Sequence, residues 1–348
     1  MPRLCIGLTF AVLVAAASPL RAEWNPALAA RYLDARQQAW FDWKTAQSPD
    51  GPCVSCHTGM TYLLARPALR RVLGETGPTP FEIGYLNRLE AKMAKPAEGA
   101  LGNVEAVMSA MFFSRDDARA AMSSHTRQAF DRLWELQERD GPANGAWQWY
   151  EANLDPWENS ESLYYGSALV ALALGQTSEA YQKDAAVRPR VAALTAYLAN
   201  PATPPRLHDR LPLLWASATS PGLVSGSARK ALIAETLSRQ QADGGWTLAG
   251  LGPWMAHPDP PPSAGSHAYA TAFTTFVLQR AGVPASHDGL RKAVAWLRSH
   301  QDPATGAWPA VSMNKKYPDG SMPSLFMQDA ATAFAALVLV EADAAPRR

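Results

Sequence analysis

Residues 53–57 read Cys-Val-Ser-Cys-His. Two cysteines separated by two residues, with histidine next, is the spacing for covalent attachment of haem c. The thiols add across the porphyrin vinyl groups, and the adjoining imidazole lies under the iron as proximal ligand. On this reading Cys53 and Cys56 hold the macrocycle and His57 ligates the metal. The distal ligand stays unassigned. Met60 follows His57 by three residues and belongs to the proximal side. Met255, His257, Met322 and Met327 qualify only if the fold carries their loops to the haem. A methionine there suits electron transfer, and an open position suits ligand binding or peroxide chemistry. Three other readings compete. The pair is a disulfide or a redox dithiol, although no βαβ setting of the thioredoxin kind is visible. A zinc site would need a second cysteine or histidine pair at matching spacing. Chance is the third, and histidine is rare here, with seven in 348 residues.

Acid–base chemistry has its own candidates. Residues 149–161 read Trp-Tyr-Glu-Ala-Asn-Leu-Asp-Pro-Trp-Glu-Asn-Ser-Glu, dense in carboxylates and aromatics as a binding site would be. Asp155, Glu158 and Glu161 are the candidate catalytic residues, since paired carboxylates can act as acid and base. The competing reading is that Asp155 and Glu161 cap a helix or face solvent. A second loop, 250–267, carries Met255, His257 and a proline run at Pro258 and 260–262, which reads as a stiff lid or as a rigid connection. A third, 312–328, carries Lys315, Lys316 and Tyr317.

The elements that must position these groups repeat one another. Leu133-Trp134-Glu135-Leu136-Gln137 is followed by Asp140-Gly141 and Gly145-Ala146-Trp147. Leu237-Ser238-Arg239-Gln240-Gln241 is followed by Asp243-Gly244-Gly245-Trp246. Leu297-Arg298-Ser299-His300-Gln301 is followed by Asp302 and Gly306-Ala307-Trp308. Each is a helix ending in glutamine, then a turn, then tryptophan. A more apolar helix comes after each, predicted over 162–175, 268–282 and 328–341. The glutamine amide is expected to bond across to the next repeat, glycine to end the helix in the left-handed region, and tryptophan to pack over the turn. A helical hairpin that cannot bury its apolar face alone must stack on copies of itself. The tryptophans are therefore scaffold.

This Q-x-x-D-G-x-W pattern resembles the QW motif of squalene–hopene cyclases and related terpenoid cyclase and prenyltransferase α/α toroids, over 127–342. The resemblance implies an all-α fold, a single (α/α) toroid of helical hairpins. A diverged first repeat falls within 30–74, with Gln37-Gln38, Trp40, Trp43 and Pro49-Asp50-Gly51 leading into Cys53, and a helix over 58–73. The acidic DxDD signature of the cyclases is missing. Ser114-Arg115-Asp116-Asp117 is the nearest run and lacks the first aspartate. The zinc-ligand set of protein prenyltransferases is missing too.

Residues 1–22 read as a secretory signal peptide, with Arg3, an apolar stretch over 6–17 and a small residue, Ala22, before the cleavage point. That stretch is short for a bilayer, and no later run is read as a membrane span. The expected layout is a leader over 1–22, an N-terminal helical part with the haem motif over 23–125, and toroid repeats over 126–348 as one continuous barrel. Net charge is +1 with arginines scattered, so nucleic acid is not an expected partner. The expectation is an exported, periplasmic protein with one haem c, serving electron transfer or redox chemistry. Its partner would be a redox protein or a hydrophobic small molecule, because related toroids bind isoprenoids. One alternative is a terpenoid-cyclase-like enzyme using the carboxylates of 155–161, and another is a non-catalytic binding module. Carbohydrate lyase or hydrolase chemistry, common on α/α toroids, would use the same carboxylates. It is placed last because the repeats occupy most of the tryptophans.

Overall fold

The computed structural model describes residues 23–48, 51–94, 99–117, 121–200, 205–220, 222–260 and 264–344. The expected leader and Pro49-Asp50 of the first repeat lie outside them. Helices α1 (Pro26–Asp42), α2 (Gly59–Leu73), α3 (Pro80–Ala94), α4 (Gly99–Asp116), α5 (Ser124–Leu136) and α6 (Leu163–Leu174) come first. The short α7 (Glu179–Gln182), α8 (Arg188–Ala199), α9 (Leu207–Ala216), α10 (Gly226–Ser238), α11 (Ala268–Arg280), α12 (Asp288–Ser299) and α13 (Phe326–Ala344) complete the chain. Strand is limited, among the described residues, to Gln47–Ser48 paired with Gly51–Pro52.

The fold is an all-α toroid, as the repeats predict. Inner helices α4, α6, α9, α11, α13 and α2 pack against one another in that order. Arg115 on α4 donates to the Leu63 carbonyl of α2 at 2.8 Å and closes the ring. Helices α1, α3, α5, α8, α10 and α12 lie outside, each packed on the inner helix that follows it or its neighbour. Sequence explains the division. Inner helices such as α6, Leu-Tyr-Tyr-Gly-Ser-Ala-Leu-Val-Ala-Leu-Ala-Leu, are buried nearly all round. Outer helices have one apolar face: α12 buries Leu290, Ala293, Trp296 and Leu297 and turns Arg291 and Lys292 outward. Met322–Ala344, α13 with the turn before it, spans 23 residues with an 18-residue stretch of mean hydropathy 1.5, and is long and apolar enough to cross a membrane by length and composition. The sequence reading found no such run. Its apolar character matches its inner place, where Ala330, Ala331, Ala333, Phe334, Ala335 and Leu339 are buried.

The repeat turns work as joints between hairpins. Gln137 Nε2 donates to the Gly145 carbonyl within its own turn and to Arg190 O of the next outer helix. Gln240 does the same to Gly244 O and Gly289 O, each at 2.8 Å. Gln301 donates to Gly306 O and to Asn25 O, at 2.9 and 3.0 Å, and its Oε1 accepts from Asn25 N. The last repeat thus bonds to the first. Trp147, Trp246 and Trp308 donate their indole N–H to Leu133 O, Thr236 O and Leu297 O, which satisfies carbonyls at the ends of the outer helices. Glycine differs from expectation. Gly145, Gly244 and Gly306 do have positive φ, but within the turn rather than at the helix end. A Cβ there would collide with Ala193 O, with Lys292 or with Leu28 of the adjoining outer helix.

The two mouths of the barrel differ. Three of the connections from outer to inner helix are long, at 137–162, 239–267 and 300–325, and lie at one mouth. Connections from inner to outer helix are short, as at 74–79 and 281–287, and leave the other mouth open. The expected division at 125/126 falls just after the start of α5, and helices from both sides of it build the same two rings.

Candidate active site

The chemistry-bearing residues gather at the loop-covered mouth, where the inner helices begin. Loop 149–161 is held there by Asp155. Its Oδ1 accepts from Arg206 Nη1 and Asn159 Nδ2, both at 2.6 Å, and its Oδ2 accepts from Met255 N at 2.9 Å. Asn314 of the third loop grips the Asp155 backbone from both sides, accepting from its N–H at 2.8 Å and donating to its carbonyl at 2.7 Å. Arg206 also pairs with Asp209, whose other oxygen bonds His208 Nδ1 at 2.8 Å. His208 Nε2 meets the Tyr269 hydroxyl at 2.8 Å, and that hydroxyl also accepts from Trp157 Nε1 at 3.1 Å. A buried circuit of hydrogen bonds therefore fixes both residues that flank Pro156, Asp155 and Trp157. Asp155 has every oxygen occupied and is a positioning group. Glu161 lies on the solvent side, its carboxylate 3.5 Å from Arg206.

Glu158 is different. Its backbone is pinned, with N–H donating to Leu154 O and its carbonyl accepting from Ala152 N and Leu154 N. Its carboxyl lines a narrow cleft with His57, Asp155, Asn314, Tyr317 and Phe326. Among the described residues no hydrogen bond or ion pair ties that carboxyl, and burial alone pushes its pKa up to about 7. A carboxyl so poised exists in both protonation states near neutral pH, which is what a general acid or base needs.

The Cys-Val-Ser-Cys-His stretch forms the wall opposite. Thr58 Oγ1 donates to Asp329 Oδ2 at 2.9 Å and so accepts from His57 Nδ1 at 2.8 Å. Asp329 is held by Arg36 Nε at 2.7 Å and by the Tyr32 hydroxyl at 2.8 Å. The His57 ring stacks on Phe326 with centroids 3.7 Å apart and meets the edge of Trp40. It is 4 % exposed, and burial drives its pKa down to about 3, so it is neutral. Cys56 is 3 % exposed with its thiol pushed well up, and Cys53, half-buried, is pushed up to about 12. The cleft beside His57 holds about 30 Å³, room for roughly one water. As packed, these residues do not fit a macrocycle bridged to both thiols with iron over His57. The loops carrying the distal candidates do arrive here. Met327 lines the cleft, Met322 Sδ accepts from Arg36 Nη1 at 3.2 Å, and His257 Nε2 lies 3.7 Å from Asp155. Met60 is buried in the first turn of α2, and Met255 is exposed at the mouth. Asp117, in the nearest match to the cyclase signature, sits at the other mouth.

Arg206, His208, Asp209, Asn314 and Asp329 were not singled out from sequence. Asp329 had a signal, as the one charged residue between Phe326 and Val340 of an otherwise apolar helix. Arg206 and Asp209 had a weaker one, their spacing of three at a helix start.

No protein-family profile matches the chain, and no curated protein does. Solved structures share its fold. A polysaccharide lyase aligns with a TM-score of 0.53 at 13% identity, over 93% of this chain and 99% of its own. A glycosyl hydrolase of family 88 from Bacteroides vulgatus aligns with a TM-score of 0.51 at 11% identity, over 91% and 99%. An inactivated α-1,6-mannanase, GH76A of Salegentibacter sp. HEL1_6 in complex with α-1,6-mannotetrose, gives 0.53 at 11% identity, over 91% and 99%. These likenesses establish the (α/α) toroid. They also correct the expected function. The three structures named are carbohydrate-active enzymes, none a haem protein or a terpenoid cyclase. Among the described residues no group of three or more His, Cys, Asp or Glu is arranged to hold a metal ion. The reading as an iron-binding electron carrier is withdrawn on these findings.

Proposed function

We propose that this chain is a carbohydrate-active enzyme that cleaves glycosidic linkages by proton transfer, with Glu158 as the acid–base group. The observation that carries the reading is a carboxyl with no bonding partner among the described residues and its pKa raised to about 7, in a cleft where the neighbouring Asp155 and Asn314 are already bonded to each other's loops. Glycan-acting toroids of the same fold, one bound to an α-1,6-linked mannotetrose, support the substrate class. Protonated Glu158 would give its proton to the departing glycosidic oxygen in hydrolysis, as water adds to the anomeric carbon and loses its own proton to solvent. Ionised, it would take the proton beside a uronate carboxyl in elimination, the glycosidic C–O bond breaking as the ring double bond forms and the leaving oxygen taking a proton from solvent. Asp155 and Arg206 hold its loop in place, and Asn314 couples that loop to 312–325, which must move aside to admit a sugar. The likeness of the repeat turns to the QW motif reflects, in this proposal, a shared demand for hairpin stacking rather than shared chemistry. We also propose export through the leader over 1–22, supported by its charge and apolar pattern.

The test is incubation of the purified chain with a panel of polysaccharides that includes α-1,6-mannan and uronic-acid polymers. Reducing ends report hydrolysis, and ultraviolet absorbance of unsaturated ends reports elimination. Cleavage is expected with a pH profile turning near 7, and Glu158→Gln is expected to lower it at least ~100-fold. No cleavage of any glycan, or full activity in Glu158→Gln, overturns the proposal.

A further inference from the structure

The open mouth holds a cavity of about 1450 Å³, bounded by the last turns of all six inner helices. It exceeds the ~300–1,000 Å³ of ordinary small-molecule sites and lies at the end of the barrel opposite Glu158. Leu63, Met111, Leu172 and Phe276 form its floor, with the half-buried Trp215 and Leu337 as walls. Its hydroxyls are turned inward to their own helices. Ser114 donates to Met111 O and Thr219 to Ala216 O.

Charge at the rim points to a head group. Arg70 is bridged to Glu82 at 2.5 Å and Arg280 to Glu341. Asp343 accepts from the Trp24 indole and pairs with Arg298, and Asp117 accepts from Ser123 N. Arg71, exposed in the last turn of α2, has no acidic partner among the described residues. Beside it Val72 is 51% exposed, an apolar side chain on the same rim. A well with an apolar floor and the exposed Arg71 guanidinium at its lip is complementary to a molecule with a hydrocarbon body and an anionic end.

We propose that this bowl is a binding site for an anionic amphipath, an alkyl or acyl chain ending in a carboxylate or phosphate. The chain lies against Leu172, Phe276 and Leu337, and the head pairs with Arg71. The site is independent of the acid–base chemistry at the other mouth.

Titration of the purified chain with 11-dansylaminoundecanoic acid tests it. A saturable fluorescence rise at one probe per chain is expected. Displacement by hexadecanoate or hexadecyl phosphate, but not by hexadecanol, supports the anionic head and ranks the two head groups. Leu337→Trp and Val340→Trp, both at half-buried positions, fill the bowl and should each weaken the probe at least ~10-fold. Arg71→Glu, on an exposed side chain that does not put folding at risk, should weaken it by ~10-fold. Absence of saturable binding, equal displacement by hexadecanol, or unchanged affinity in Arg71→Glu and in both tryptophan variants overturns the proposal.

Discussion

At the scale of single residues the site rests on two groups that burial shifts toward their neutral forms. Glu158 has its pKa raised from 4.5 to about 7, and His57 has its lowered from 6.5 to about 3. For Glu158 the raised value means that stability is fully present below pH 4.5 and is lost as pH rises through 7. For His57 the depressed value means that stability is present above pH 6.5 and is lost as pH falls toward 3. The native state should therefore be most stable between about pH 4.5 and 6.5, which thermal melts across pH would show. Glu158→Gln removes the first slope. Its gain over the parent should be on the order of 2–3 kcal/mol at pH 8 and vanish at pH 4. An equal gain at both pH values would show that Glu158 is not desolvated. Spacing alone told the truth about reach and nothing about packing. Cys53, Cys56 and His57 carry the haem c signature, yet His57 and Cys56 lie in the core with Phe326 against the imidazole. An absorption spectrum of the protein made alongside a cytochrome maturation system should lack a Soret band, and a haemochrome would restore the motif's first reading.

At the scale of elements, hairpins are joined by turns in which one glycine touches the next outer helix. Gly145→Ala and Gly306→Ala should each cost at least ~2 kcal/mol, because they combine a left-handed backbone with a collision against Ala193 or Leu28. Gly222→Ala also has positive φ but meets nothing within 4 Å, and should cost only ~1 kcal/mol. Urea midpoints would separate the two classes. This level of organisation was the most legible in sequence. The helices predicted over 58–73, 162–175, 268–282 and 328–341 correspond to α2, α6, α11 and α13. Glutamine, turn and tryptophan recur locally, so a single chain displays them. Arg206 meeting Asp155 across 51 residues, or Asn314 meeting it across 159, leaves no local trace. The untied state of Glu158 is likewise a property of its surroundings. Its loop could be found by composition, but not which of its three acids stands free.

At the scale of the whole molecule the barrel has one mouth for long loops and one for the bowl, and its ends meet. Trp24 Nε1 donates to Asp343 Oδ2 at 2.8 Å, and Gln301 and Asn25 exchange hydrogen bonds. A circular permutant that links 344 to 24 through a short flexible segment, with new ends within 283–287, should keep the native melting temperature within a few degrees. Deleting 24–25 should lower it sharply, since both contacts go. An open stack of repeats can grow from one end and needs capping units to stop it. This one closes on itself: the segment before α1 bonds to the turn after α12 and to the last turn of α13, so the ring has no free end repeat for a further hairpin to stack on.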